Sequence, residues 1–115
     1  MFILNEADRE YRHGDHGPKY LEKGPRMNFG IVQILPGGTV STHVHKIMQE
    51  SFFVLDGTVE ATVDGKTVVL RKGDYIHLEP EEVHTFHNNS DLNARMIVTA
   101  APFVDGDKEE ITQAR

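Results

Sequence analysis

The sequence predicts an all-β protein, built as a sandwich or barrel of short strands. From Met27 onward, short apolar runs rich in β-branched residues alternate with turns that contain Gly, Pro, Asp or Asn. The turns recur about every 8 to 12 residues, which is typical of sandwiches and barrels. No stretch has the sustained apolar periodicity of a long helix. A chain of 115 residues is long enough for one hydrophobic core and too short for two domains.

Eight strands are predicted in chain order: 27–35, 39–45, 51–55, 58–63, 66–70, 75–78, 84–88 and 95–101. Pro36, Gly37 and Gly38 end the first of them. Asp64 and Gly65 form the strongest turn signal, because a two-residue hairpin loop of this type needs positive φ at both positions. Every strand lies within residues 27–101, which are therefore expected to form the barrel.

The flanking segments are predicted to be less regular. Residues 1–26 are polar and rich in turn formers, and are expected to form an N-terminal arm with a short extended piece near Tyr20. Residues 102–115 are expected to form a charged C-terminal tail that is helical or frayed.

Composition excludes several classes of function. The formal net charge of −6 and the lack of a Lys/Arg-rich run disfavour binding to nucleic acids and to anionic membranes. The chain has no cysteine, so a disulfide scaffold, a thiolate metal site and a thiol nucleophile are excluded. Neither a signal peptide nor an apolar run of about 20 residues is present, so the expected location is the cytoplasm.

Some predicted strands are apolar on both faces. In the strand 51–55, alternation puts Phe52 and Val54 on one side and Phe53 and Leu55 on the other. A small barrel needs only an apolar inner face, so a second apolar face requires a cover. A second copy of the chain would supply one, and a homodimer is expected; the alternative is that the N-terminal segment folds back over this face.

Four residues predict a metal site. His43 and His45 are two residues apart on a strand, so their imidazoles project to the same side. Glu50 and His84 each begin a later strand and can reach the same space. Three imidazoles and a carboxylate suit one divalent transition-metal ion such as Fe, Mn, Ni or Zn, and they leave coordination positions open for substrate.

These residues also carry a family resemblance. Gly37, His43-Val44-His45, Glu50 and Gly57 match the first motif of the cupin superfamily at every spacing. Gly73, Pro80, His84 and Asn88 follow the second motif, in which Glu79 and Glu81 replace the usual Pro and Gly. The chain thus resembles the small single-domain cupins, and the resemblance extends over residues 37–88.

The resemblance implies a fold and a ligand set. The implied fold is a double-stranded β-helix, or jelly-roll barrel. The implied metal ligands, at the centre of the barrel, are His43, His45, Glu50 and His84.

Other polar residues compete for roles near this site. Gln49 could replace Glu50 as a ligand, but strand parity and motif spacing favour Glu50. His87 is expected to face outward, because His84 and Phe86 alternate with it. His77 is interpreted as packed or half-exposed. His13 and His16 resemble a metal clip but lie in a Gly-rich loop without a further ligand, so a solvated loop is the favoured reading.

Three further residues are candidates for contact with a substrate. Tyr75 is a candidate general base and a weak candidate catalytic residue. Gln33 shares strand parity with Phe29, Ile31 and Leu35, and faces either the core or solvent. Tyr20 is the third polar candidate.

The function that follows is a metal-dependent enzyme acting on a small polar organic molecule, such as a sugar derivative or an organic acid. Oxygenase, isomerase and lyase chemistry all remain open, because a fold does not select a reaction. The alternative is a non-catalytic module that binds a sugar or small acid.

Overall fold

The computed structural model describes residues 1–111 and contains ten strands after a short 3-10 helix at Glu6–Asp8. The strands are β1 (Gly17–Lys23), β2 (Asn28–Ile34), β3 (Thr39–His45), β4 (Gln49–Asp56), β5 (Thr58–Val63), β6 (Lys66–Arg71), β7 (Tyr75–Leu78), β8 (His84–His87), β9 (Ala94–Ala101) and β10 (Lys108–Glu110). All eight strands predicted between residues 27 and 101 are present. Within residues 1–111, no helix has the length and apolar character needed to cross a bilayer.

The strands form two five-stranded antiparallel sheets. One sheet has the order β1-β2-β9-β4-β7, and the other has the order β10-β3-β8-β5-β6. Strands that are adjacent in the chain therefore often belong to opposite sheets, as expected for a jelly roll. This arrangement confirms the predicted all-β, double-stranded β-helix fold.

The core lies between the two sheets and follows the alternation of each strand. On β9, every second residue is buried, beginning with Ala94 and Met96. The buried cluster comprises Val32, Ile34, Phe52, Val54, Val59, Ala61, Leu70, Leu78, Phe86, Ala94, Met96 and Val98. The rings of Phe52 and Phe86, one from each sheet, meet edge to face with their centroids 4.6 Å apart. This contact joins the two sheets within the core.

The hairpin between β5 and β6 forms where the sequence predicts it. Val63 pairs with Lys66, so only Asp64 and Gly65 remain in the loop. Their φ angles are 47° and 83°, as this turn type requires. The Asp64 carboxylate also accepts a hydrogen bond from the Val83 amide, which ties the hairpin to the segment preceding His84.

Both flanking segments contribute strands. The extended piece expected near Tyr20 is the strand β1, which pairs with β2 along its whole length. The tail differs from the helical or frayed expectation, because Lys108–Glu110 pairs with His43–His45. The charged side chains of this segment do not show the apolar alternation by which strands are recognised in a sequence. A short edge strand is stabilised mainly by pairing with its neighbour, so it does not need apolar residues of its own. Residues 112–115 of the predicted tail lie outside the described residues.

The outer face of the first sheet is apolar, as the sequence predicts. Ile31, Ile97, Phe53 and Tyr75 stand opposite one another across β2, β9, β4 and β7. Their exposure rises across the sheet, from 6% at Ile31 to 40% at Phe53 and 61% at Tyr75. The N-terminal segment covers the less exposed side, and the homodimer remains a prediction for the rest.

Contacts from two N-terminal residues hold this cover in place. Glu6 forms ion pairs with Lys19 and Arg95. Tyr11 accepts a hydrogen bond from Arg95 and lies under the Lys19 ammonium group, 4.4 Å from its ring centroid. The N-terminal segment therefore does fold back over part of the outer face.

Candidate metal centre

The second half of β3 carries the first two predicted ligands into the barrel. The strand is exposed at Thr39 and becomes fully buried at His43, Val44 and His45. A register shift between Val40 and His43 changes the alternation before the ligands. The His43 and His45 rings both face the interior, with centroids 5.2 Å apart.

Glu50 and His84 complete the cluster from two other strands. Glu50 is the second residue of β4 and is buried, whereas the neighbouring Gln49 is exposed. His84 begins β8 and stands directly opposite His43 in the sheet. One candidate ligand atom from each of the four side chains lies within 4.8 Å of the others. The four residues that the sequence selected are thus brought together, and Gln49 is directed away.

Backbone carbonyl groups set the orientation of all three imidazoles. The Nδ1 atoms of His43, His45 and His84 lie 2.7, 3.0 and 2.9 Å from the carbonyl oxygens of Ser41, Asp107 and Glu82 respectively. A carbonyl oxygen can only accept a hydrogen bond, so each Nδ1 must carry the proton. In the neutral rings, each Nε2 then presents its lone pair to the centre of the cluster.

The donor set fits a divalent cation. Oε1 of Glu50 lies 3.9, 3.2 and 3.1 Å from Nε2 of His43, His45 and His84. Ligands about 2.0–2.1 Å from a tetrahedral metal ion are separated by about 3.3 Å, so the spacing is suitable. Nε2 of His45 is sealed from solvent and has no hydrogen-bond partner in residues 1–111. In a buried site, nitrogen lone pairs that face a carboxylate are unfavourable unless a positive charge lies between them.

The ionisation of Glu50 and His45 reflects this proximity. Burial by itself would raise the pKa of Glu50, but the imidazoles of His43, His45 and His84 around it outweigh this effect and hold that pKa far below its usual range. Burial would likewise lower the pKa of His45, but the Glu50 carboxylate outweighs it and raises this pKa. The centre therefore retains a negative charge that can bind a proton or a metal ion.

Asp107, which the sequence analysis missed, organises the loop between His45 and Glu50. Its carboxylate accepts hydrogen bonds from the amides of Lys46, Ile47 and Met48 at 3.2, 3.0 and 2.8 Å. Burial would raise the Asp107 pKa, but these bonds outweigh it and lower the pKa. The backbone carbonyl of Asp107 also accepts a hydrogen bond from Nδ1 of His45. No local pattern signals this role, because Asp107 meets the loop only after β10 has paired with β3.

A cavity of about 180 Å³ reaches the candidate metal centre and includes His43, His45 and Glu50 in its lining. Most of its other walls are apolar, and include Val32, Met48, Phe52, Phe86, Val98 and Phe103. The polar residues in the lining include Arg12, Tyr20, Lys23 and Asn28. Burial and the charge of Glu50 raise the pKa of Tyr20, so its phenol stays protonated.

Two of the three substrate-contact candidates do not line this cavity. Tyr75 lies on the outer face of β7, where its hydroxyl bonds to Ser51 Oγ at 2.7 Å. Gln33 lies on the outer face of β2, and its amide donates to the Asp15 carbonyl. For both residues strand parity selects the outer face, so neither is placed to contact a molecule bound beside the His43–Glu50 cluster. Tyr20 does line the cavity.

The remaining histidines lie outside the cluster, as expected. His87 is half-buried and shares a hydrogen bond with the Thr39 hydroxyl. His77 is exposed on β7 and contacts Glu79. His13 and His16 lie near each other in an exposed turn, where Asp15 bonds to His16.

The departures from the second motif have local consequences. Glu81 replaces the motif Gly but retains a positive φ of 75°, which is strained for a residue with a side chain. Its amide donates to the His45 carbonyl at 2.7 Å, which stabilises this conformation. Asn88, at the end of the motif, is fully buried and bonds through its amide to the carbonyls of Ile34 and Leu92. Asn88 therefore has a structural role.

Known proteins share parts of this sequence and fold. "Polyketide synthase CurC" of Streptomyces cyaneus is 32% identical over 73 residues, which are 64% of this chain and 47% of that protein. "Beta-D-galactosidase Rv1717" of Mycobacterium tuberculosis is 36% identical over 76 residues, which are 66% and 65% of the two chains. The chain thus spans only about half to two thirds of the length of these relatives.

Structural similarity extends further than sequence identity. A Klebsiella pneumoniae protein described as having a double-stranded β-helix domain superposes with a TM-score of 0.84 at 18% identity, covering 98% of this chain and 99% of that one. Residues 30–100 also match the family described as Cupin domain. That match spans β2 through most of β9 and contains all four clustered residues. The chain belongs to the cupin family.

Proposed function

We propose that this protein is a metal-dependent enzyme that binds one divalent transition-metal ion through His43, His45, Glu50 and His84 and acts on a small organic molecule. The observation that carries the proposal is the sealed, unpartnered Nε2 of His45, which faces the Glu50 carboxylate beside an open cavity. A closed structural site has no need of such a cavity, whereas a reactive site needs access for its substrate.

The chain's own residues prepare this site. Carbonyl groups hold each imidazole in the tautomer that presents Nε2, and Glu50 supplies the negative charge. A bound ion would polarise a substrate oxygen or activate dioxygen. The apolar walls limit the water around the reacting group, and Tyr20 keeps its phenolic proton available for donation.

The lining favours a partly apolar substrate. Phenylalanine and valine side chains form much of the wall, and a sugar ring would leave most of its hydroxyl groups without partners against them. An organic acid or an aromatic, oxygen-bearing molecule is more compatible with these walls. The names of the two relatives refer to different activities, so the substrate class is argued from the cavity and not from them.

A non-catalytic binding module is the second candidate, and one observation favours it. Of the titratable groups in the lining, Glu50 is committed to the imidazoles and Asp107 to three backbone amides. Tyr20 keeps its proton because its pKa is raised. The lining also contains the Asp105 carboxylate, which has no such commitment in the described residues, so catalysis would depend on Asp105 or on the metal.

Metal analysis of the purified protein tests the first step of the proposal. We expect about one equivalent of transition metal in the wild type and loss of it in His84→Ala, because removing one of four ligands weakens the site severely. His87→Ala is the matched control, since His87 lies on the same strand but outside the centre. Equal metal content in both variants would exclude these four residues as the metal site.

Turnover then distinguishes the two candidate functions. The metal-loaded protein is assayed for oxygen uptake and for product formation with a panel of carboxylic acids, hydroxylated aromatics and sugars. Conversion that is lost in His84→Ala supports the enzyme. Saturable binding without conversion across the panel favours the binding module.

A further inference from the structure

One side of the cavity presents hydrogen-bond donors. Tyr20 of β1 and Asn28 of β2 line the cavity from paired strands of the same sheet, and Arg12 lines it from the segment before β1. Their polar groups are a phenol, an amide and a guanidinium. These residues form a donor cluster that is separate from the four metal-binding candidates.

Asn28 gives the strongest indication of a ligand. The residue is only 7% exposed, and its Oδ1 accepts a hydrogen bond from the Gly24 amide at 3.1 Å. Because the Gly24 amide can only donate, this bond shows which atom of the Asn28 amide is the oxygen. The other atom is Nδ2, whose two protons are available for donation. In the described part of the chain, Nδ2 makes no hydrogen bond, although Asn28 is more than nine-tenths buried. Nδ2 is not one of the sealed polar atoms of the described residues, so its protons can reach an acceptor in the cavity that Asn28 lines.

Arg12 and Tyr20 extend the same pattern. Arg12 lies close enough for its charge to act on the Tyr20 phenol, and no carboxylate in residues 1–111 forms an ion pair with it. The Tyr20 ring lies against Gly30, where a Cβ atom would come within 3.0 Å of it. Gly30 therefore leaves room for the ring on the cavity side of β2. Lys23 adds a second positive charge, 5.7 Å from the Tyr20 ring centroid.

We propose that Arg12, Tyr20 and Asn28 bind an anionic oxygen of the substrate, namely a carboxylate or an enolate, while its apolar body packs against the phenylalanines of the cavity. The inference rests on the proposed function, because it assigns the substrate class of the same cavity. An oxyanion accepts from all three donors at once and satisfies the charge of Arg12. A neutral molecule would accept more weakly from these donors, because hydrogen bonds to an ionised acceptor are roughly twice as strong as those between neutral groups.

Binding of paired probes to the zinc-loaded protein tests this inference. The probes are benzoate, salicylate and 1-naphthoate, each compared by calorimetry with its neutral amide. In the wild type we expect at least one carboxylate to bind about tenfold or more tightly than its amide, as for hydrogen bonds to charged groups. Absence of a preference for every pair would overturn the proposal.

Three variants locate the effect. Arg12→Gln and Tyr20→Phe remove one donor each and should reduce the preference several-fold. Asn28→Asp retains an oxygen for the Gly24 amide but replaces the donor with a negative charge, so the preference should disappear. Arg71→Gln is the matched control, because it removes one positive charge from an exposed position on β6. If Arg71→Gln reduced the carboxylate preference equally, the preference would depend on the overall charge of the protein. That result would contradict the assignment of Arg12, Tyr20 and Asn28.

Zinc content, measured on the same samples, separates the two proposals. Protein that binds neither zinc nor another divalent transition metal would refute the proposed function itself. Protein that is fully loaded, but whose carboxylate preference is unchanged by all three variants, would refute only the donor cluster.

Discussion

Two pairs of histidines in this protein have almost the same ring separation and very different surroundings. The centroids of His13 and His16 are 5.1 Å apart, and those of His43 and His45 are 5.2 Å apart. The His16 side chain is 48% exposed, whereas that of His45 is 9% exposed. Proximity of two imidazoles therefore does not distinguish a metal centre from a solvated turn.

The partners of the rings do distinguish them. Nδ1 of His16 bonds to the exposed Asp15 carboxylate. Water competes for both groups, so this bond adds little stability. His45 directs Nδ1 to the Asp107 carbonyl, and its Nε2 is left to face Glu50. A buried backbone acceptor thus sets the tautomer and orientation of His45, whereas the acceptor of His16 is an exposed side chain in competition with water. The comparison suggests experiments in which each pair is perturbed in the same way.

The largest expected effect is on stabilisation by metal. At a free metal concentration of about 100 times its Kd, binding should stabilise the chelator-treated wild type by about 2.7 kcal/mol and raise Tm by roughly 10 °C. The shift should vanish in His43→Ala and persist in a His13→Ala/His16→Ala double variant. Thermal unfolding with and without added zinc measures both. A shift lost in the double variant would contradict the distinction between the two pairs.

The next effect concerns the aspartates beside each pair. Asp107→Ala removes the acceptor of three loop amides and should cost about 1 kcal/mol of unfolding free energy. It should also weaken metal binding roughly tenfold, because the loop that positions His45 loosens. Asp15→Ala should leave both quantities unchanged. Urea unfolding and a metal titration measure them, and equal effects of the two substitutions would be the contrary result.

A smaller effect is expected from pH at Asp107. The native pKa of Asp107 is lowered by the loop amides, so ionisation of its carboxyl favours the folded state. This contribution is fully present above the unfolded pKa of about 3.9 and is lost as pH falls through the lower native pKa. The stability advantage of wild type over Asp107→Asn should therefore shrink between pH 7 and about pH 3. An advantage that is independent of pH would show that charge is not the cause.

The smallest effect concerns backbone strain next to the centre. In the exposed turn, Gly14 and Gly17 adopt a positive φ without strain because they lack a side chain. Near His84, Glu81 adopts a positive φ although it has one. Glu81→Gly should relieve about 1–2 kcal/mol of strain, partly offset by the greater entropy of glycine in the unfolded chain. We expect a net gain of roughly 0.5 kcal/mol by urea unfolding. Glu82→Gly, without such strain to relieve, should be destabilising.

Much of the fold followed from local sequence. Strand alternation placed Phe52 in the core and His87 outside, because successive side chains of a strand point to opposite faces. The Asp64-Gly65 turn followed from backbone sterics. The spacing of His43, His45, Glu50 and His84 identified the cluster before its geometry was known. Tyr75 and Gln33 were candidate substrate contacts because of their side-chain chemistry. Both side chains lie on the outer face of the first sheet, away from the cavity.

Residue order alone determined which side chains alternate and where the chain turns, because these depend on local backbone geometry, and the motif spacing singled out the four candidate ligands. Only the tertiary structure decided that Asp107 organises the loop beside His45 and that Arg12, Tyr20 and Asn28 share a cavity wall. Arg12, Tyr20 and Asn28 come together around the pairing of β1 with β2, whereas Asp107 meets its loop only through the long-range pairing of β10 with β3. Hydrogen bonds between such distant positions leave no periodicity in the sequence, since each depends on where whole strands pack.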